Sequence, residues 1–127
     1  MKILLAEDEP VMSMAIATRL RNDGHEVVTA ADGMEAMNHL ENFTPDLIIT
    51  DILMPYTSGL ELIGMVKSNF NHTKIPIIVL SALGQEATVM EAFQLGADDF
   101  LTKPLNPTEL SIRVKRLLHS AEEAEED

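Results

Sequence analysis

The sequence predicts an α/β domain on a parallel sheet, with five βα units in 127 residues. Three observations carry this. Short, nearly all-apolar runs alternate with longer stretches of helical periodicity, the pattern of a sheet covered by helices on both faces. Turn and cap residues such as Asp23-Gly24, Asp32, Pro45, Gly96 and Asn106-Pro107 fall between them. Four of the runs also end on polar residues. Ile3–Ala6 leads into Glu7-Asp8, Leu47–Thr50 into Asp51, Ile77–Leu80 into Ser81, and Asp99–Thr102 into Lys103-Pro104.

The first strand is expected over Lys2–Ala6 and the first helix over Pro10–Asn22, with Pro10 in its first turn and Asp23-Gly24 as its stop. Glu26–Ala30 reads as the second strand. Asp32 can cap a helix over Met34–Asn42, in which Ala36, Met37 and Leu40 share a face. Pro45 breaks the chain before a third strand, Asp46–Thr50. The loop Ile52–Ser58 then leads into a helix over Gly59–Phe70, with Leu60, Ile63 and Val66 on one side. Ile75–Leu80 is the fourth strand, Gln85–Leu95 the fourth helix ending at Gly96, and Asp98–Thr102 the fifth strand. Asn106-Pro107 caps a last helix to about His119. Residues 1–120 then form one domain, and 121–127 an acidic tail, either disordered or the start of a linker.

Composition narrows the functional classes. The formal charge of −12 argues against nucleic-acid binding, which needs Lys and Arg on phosphates. The absence of cysteine excludes disulfides and thiolate metal sites, and suits the cytoplasm. No apolar run approaches the ~20 residues of a membrane span.

Parallel strands present their carboxyl ends along one edge, where open α/β sheets bind ligands at the point of strand-order reversal. In the order 2-1-3-4-5 the first and third strands are neighbours, and Glu7, Asp8 and Asp51 converge. Clustered carboxylates repel unless a cation sits among them, and an all-oxygen set without His or Cys favours Mg²⁺ over zinc. Asp51 can attack phosphorus to give an aspartyl phosphate. Lys103 can offset the charge of the transferred group, and Ser81 can donate to one of its oxygens. Each residue alone has a plainer reading: Glu7-Asp8 as the cap of the Pro10 helix, Asp51 and Ser81 as turn residues, Lys103 as a surface lysine. Four such coincidences at the same end of four strands favour the site.

The segments ILLAEDE, LIITDILMP, the SG before the third helix, IIVLSA, GADDF and TKPL stand in the order and spacing of the receiver domain of two-component response regulators, which the chain resembles. The resemblance covers everything but the acidic tail. It implies a flavodoxin-like (βα)₅ fold and phosphorylation of Asp51 by a sensor histidine kinase or histidine phosphotransfer protein. It implies Mg²⁺, with Mn²⁺ as an alternative, on Asp8, Asp51 and the carbonyl of Leu53, with Glu7 nearby or bound through water. Ser81 and Lys103 match the family's hydroxyl and lysine, and Phe100 its switch aromatic. The resemblance implies that the Lys103-Pro104 bond, usually cis in that family, takes this form, a state proline makes accessible. The expected output is a change in the surface formed by the fourth helix, fifth strand and fifth helix, controlling a partner or an attached domain. Phe100 lacks a hydroxyl, so no side-chain hydrogen bond can hold it outward.

Two leucines flank the site, Leu53 two residues after Asp51 and Leu83 two after Ser81. Neither can orient an attacking water, which predicts slow loss of the phosphoryl group. Leu53 also stands where aspartyl-nucleophile phosphohydrolases commonly carry their general acid, which argues against an enzyme of that class. The last helix carries Arg113, Lys115 and Arg116, whereas the fourth has no cation and offers Val89, Met90 and Phe93. Asp98, Asp99, Glu109 and Arg113 fit part of a dimer network that lacks its fourth-helix cation, so a monomer or a weak phosphorylation-dependent dimer is expected. The eight methionines read as core filler.

Overall fold

The computed structural model describes residues 1–69 and 72–126, with side chains to Glu123. The elements run β1 (Lys2–Ala6), α1 (Pro10–Asn22), β2 (Glu26–Ala30), α2 (Gly33–Leu40), β3 (Leu47–Asp51), α3 (Gly59–Ser68), β4 (Ile77–Ser81), α4 (Glu86–Leu95), β5 (Asp99–Thr102) and α5 (Pro107–Glu126). The strands form one parallel sheet in the order β2-β1-β3-β4-β5, the flavodoxin-like arrangement expected.

Strand residues alternate between two cores. Leu4, Ile48, Ile77 and Val79 pack against Ala36 and Leu40 of α2, Leu62, Ile63 and Val66 of α3, and Val89 and Ala92 of α4. Ile3, Leu5, Ile49, Ile78 and Leu80 face Ile16 and Leu20 of α1 and Leu110, Val114 and Leu118 of α5. The period of two along each strand is why nearly continuous apolar runs were needed: both faces are buried. Each such side chain contributes roughly 1.5–3 kcal/mol on burial, so the sheet is the rigid frame on which the carboxyl-end loops hang.

Boundaries differ from expectation where main-chain bonding decides them. Pro76 has no N–H to donate, so β4 starts at Ile77 rather than Ile75, while the Pro76 carbonyl still accepts from Ile48 N. β3 and β4 each run one residue further, to Asp51 and Ser81, because Ile52 N donates to Leu80 O and Lys103 N to Ser81 O beyond the apolar runs. The helix ending expected at Phe70 closes at Ser68, and Phe70 lies outside the described residues. α5 does not stop near His119 but continues to Glu126. Alanine and glutamate are strong helix formers, and His119 pairs with Glu123 at 3.0 Å across one turn.

The methionines are only partly core. Met12, Met37 and Met54 pack on the two cores, whereas Met14, Met34, Met65 and Met90 are exposed. No helix among the described residues is long and apolar enough to cross a membrane.

The loop between β3 and α3 is pinned at both ends. A Cβ on Gly59 would lie 2.1 Å from the carbonyl oxygen of Asp51, and one on Gly33 would lie 2.4 Å from that of Thr57. Between these points Tyr56 adopts φ 67°, and Thr57 N donates to Pro55 O across it at 2.9 Å. This i→i+2 bond around a positive φ marks a γ-turn of the strained kind, which raises the energy of a non-glycine residue by about 1–3 kcal/mol.

Candidate functional site

Four strand ends converge as the order 2-1-3-4-5 requires. One carboxylate oxygen each from Glu7, Asp8 and Asp51 lies within 4.8 Å of the others. Glu7 and Asp51 are buried, at 2% and 6% exposure, and Asp8 is open to solvent. Capping of α1 does not consume these acids. Glu9 does that work, accepting from Val11 N at 3.3 Å and Met12 N at 2.7 Å. The sequence left Glu7-Asp8 as candidate caps; the cap is the next residue, Glu9.

Lys103 follows β5 and reaches back across the sheet edge. Its Nζ donates to Asp51 Oδ2 at 2.7 Å and to Glu7 Oε1 at 3.3 Å. Glu7 Oε2 is 3.1 Å from the same nitrogen, but it accepts no hydrogen bond, so that contact is an ion pair only. The backbone of Lys103 is set by its 2.7 Å bond to Ser81 O and by a cis bond to Pro104. Burial pushes the Asp51 carboxyl above the usual carboxylate range, against the pull of Lys103. Burial, and then the Asp51 charge, push Glu7 the same way. Burial would lower Lys103, but its hydrogen bonds to Asp51 and Glu7 outweigh that and raise it.

One ammonium among three carboxylates leaves the cluster short of positive charge. The orphaned, buried Glu7 Oε2 and the all-oxygen donor set fit a hard divalent cation such as Mg²⁺. The Asp51 main chain is also held. Its carbonyl accepts from Thr50 Oγ1 at 3.0 Å and is approached by Gly59, where no side chain fits. The sequence showed the glycine but not what it touches.

Ser81 is buried at the end of β4, beside a cavity of about 210 Å³ lined by Leu83, Met90, Phe93, Phe100 and Thr102 as well. Phe100 stands half-exposed with its ring edge-on to Phe93, centroids 5.9 Å apart at 88°. The outward ring therefore has an aromatic partner on α4, which a hydroxyl-based reading of the position missed. Leu53 and Leu83 are both exposed in the loops after β3 and β4. Of the residues that suggested a dimer network, Arg113 is engaged within the chain, at 2.6 Å from Asp99 Oδ1 and 3.2 Å from Glu109 Oε1. Asp98 turns inward to accept from Ile77 N at 2.8 Å.

The family model of the response regulator receiver domain matches residues 3–115. The chain belongs to that family. As a receiver it is a signalling domain of two-component systems, whose general function is to be phosphorylated by a histidine kinase. It is 40% identical over 121 residues to a probable transcriptional regulator ycf27 of Cyanophora paradoxa, covering 95% of this chain and 49% of that one. A putative response regulator from Chloroflexus aurantiacus superposes with a TM-score of 0.88 at 34% identity, over 93% of this receiver and 97% of that chain. The signal receiver domain of a histidine kinase from Syntrophus aciditrophicus gives 0.87 at 36%, over 94% and 90%. The receiver spans about half the length of the curated relatives it matches.

Proposed function

We propose that this receiver accepts a phosphoryl group on Asp51 from a sensor histidine kinase or histidine phosphotransfer protein. The observation that carries the reading is the placement of Lys103 Nζ, 2.7 Å from Asp51 and within reach of Glu7, at a buried strand end. An Asp51 carboxylate oxygen forms the new bond to phosphorus as the phosphorus–nitrogen bond of the donor's phosphohistidine breaks. The electron pair leaves with the imidazole nitrogen, which takes a proton from solvent. Lys103 then faces phosphoryl oxygens in place of free carboxylate, and the Ser81 hydroxyl donates to one of them. Glu7, Asp8, Asp51 and the Leu53 carbonyl would hold Mg²⁺ or Mn²⁺, which supplies charge neutralisation on the transferring oxygens.

Movement of Ser81 toward the phosphoryl group opens the neighbouring cavity to Phe100, which leaves Phe93 and changes the surface of α4, β5 and α5. That surface would control a downstream effector or output domain. The internal pairing of Arg113 supports a monomer, or at most a weak phosphorylation-dependent dimer. A cysteine-free chain suits the cytoplasm, where we place it.

The test is incubation with acetyl phosphate and Mg²⁺, read by intact mass and peptide mapping. A stable modification on Asp51, absent from Asp51→Asn, is expected. Turnover of phosphate esters without a stable adduct would instead mark a phosphohydrolase, and no response at all a constitutive scaffold.

A further inference from the structure

The γ-turn at Tyr56 is a strained feature, offset locally only by the hydrogen bond from Thr57 N to Pro55 O. The backbone there has φ 67°, a region glycine enters freely and tyrosine does not. The ring is 83% exposed, so burial contributes almost nothing in return. The turn cannot relax by sliding, because Gly33 meets Thr57 and Gly59 meets the Asp51 carbonyl with no space for even a methyl group. The chain's one tyrosine thus projects into solvent from a closely packed backbone, on the loop that leaves the acceptor strand.

A protein donor has to approach that loop. Asp51 is only 6% exposed, so a protein bringing a phosphoryl group to it has to cover the loops around the strand ends. Those loops present exposed Leu53 and Leu83 above a cluster of carboxylates. A rigid aromatic ring loses little conformational entropy on binding and gives a large contact area, which is why tyrosine anchors so many interfaces. From the strain, the exposure and the pinned loop we infer that Tyr56 is a recognition residue for the protein that delivers the phosphoryl group. It acts on docking and not on the acceptor chemistry. The inference rests on the acceptor reading of Asp51 and adds the residue by which a protein donor is distinguished from a small one.

The test compares wild type, Tyr56→Gly and Tyr56→Phe with two kinds of donor. One is acetyl phosphate; the other is the fastest wild-type donor among the purified, histidine-phosphorylated kinase and phosphotransfer domains of the source genome. Tyr56→Gly is expected to melt a few degrees higher than wild type and to label from acetyl phosphate at the wild-type rate. It should take phosphate from the protein donor at least about tenfold more slowly. Tyr56→Phe keeps the ring and should behave as wild type with both donors. The inference is overturned if Tyr56→Gly is no more stable, if its transfer from the protein donor is unchanged, or if both donors slow equally. A wild-type chain that labels with acetyl phosphate but accepts from no protein donor overturns it as well. Failure of acetyl phosphate to label wild-type Asp51 would instead bring down the acceptor reading itself.

Discussion

Lys103 Nζ and Asp51 Oδ2 lie 2.7 Å apart although the residues are 52 positions apart in the chain. The pair crosses from the end of β5 to the end of β3, over the intervening β4. It neutralises one of two buried carboxylates and leaves the other partly compensated, so the edge is electrostatically loaded.

That load predicts a pH-dependent gain from removing the Asp51 carboxylate. Burial raises the Asp51 and Glu7 carboxyls, so as pH climbs through and above the ordinary carboxylate range the unfolded chain releases these protons first. The folded state binds more protons there, and its stability falls with rising pH. Asp51→Asn should therefore be more stable than wild type at about pH 7 without divalent cations, with the advantage shrinking as pH falls into the ordinary carboxylate range. Mg²⁺ should shift the order toward wild type, since a ligand bound only by the native state adds about 1.4 kcal/mol at ten times its Kd. Thermal melts across pH, with and without Mg²⁺, check this.

Removing the cation should act in the opposite sense. Lys103→Met leaves Glu7 and Asp51 buried without their shared partner. Breaking a fully buried pair removes about 3–5 kcal/mol; here the carboxylates can take up protons, so about 2 kcal/mol is expected at neutral pH. The loss should shrink as pH falls toward the carboxylate range. Urea unfolding at two pH values measures it, and equal losses at both would contradict the electrostatic account.

Two glycines of α3 should respond with opposite signs. Gly59→Ala puts a methyl group 2.1 Å from the Asp51 carbonyl oxygen, so it should cost about 3 kcal/mol or more and abolish phosphorylation. Gly64, inside the same helix, has open space at its Cβ position, so Gly64→Ala should stabilise by about 0.5–1 kcal/mol with labelling unchanged. Denaturant midpoints with acetyl phosphate labelling check both.

Leu53 and Leu83 should slow hydrolysis of the phosphorylated form, because neither can hold a water in line with phosphorus. Leu83→Glu should shorten the half-life of the adduct by at least about fivefold, a part of the ~10²-fold that a positioned base supplies. Loss of label after removal of the donor gives the rate directly.

Much of this molecule is legible in one dimension. The apolar runs give both cores, since strands buried on two faces need continuous Ile, Leu and Val. The bounds of β1, α1 and β2 follow from the apolar runs of the strands together with Pro10 and Asp23-Gly24 at the ends of the helix. The identities of Glu7, Asp8, Asp51, Ser81 and Lys103 as one constellation follow from strand ends that a parallel sheet must align. What the sequence could not show depends on through-space distance. Glu9, not Glu7 or Asp8, caps α1, because only its side chain lies within reach of Val11 N and Met12 N. Phe93 meets Phe100 only once α4 is laid against β5. Gly59 is required by a carbonyl oxygen eight positions away, and the strain at Tyr56 by a loop that Gly33, on another helix, keeps from moving. Residue types and their periodicity determine which chemistry is present and on which edge. Close packing of the loops around that edge decides how each group is held, because clashes and hydrogen bonds are settled over tenths of an ångström that no spacing in a sequence records.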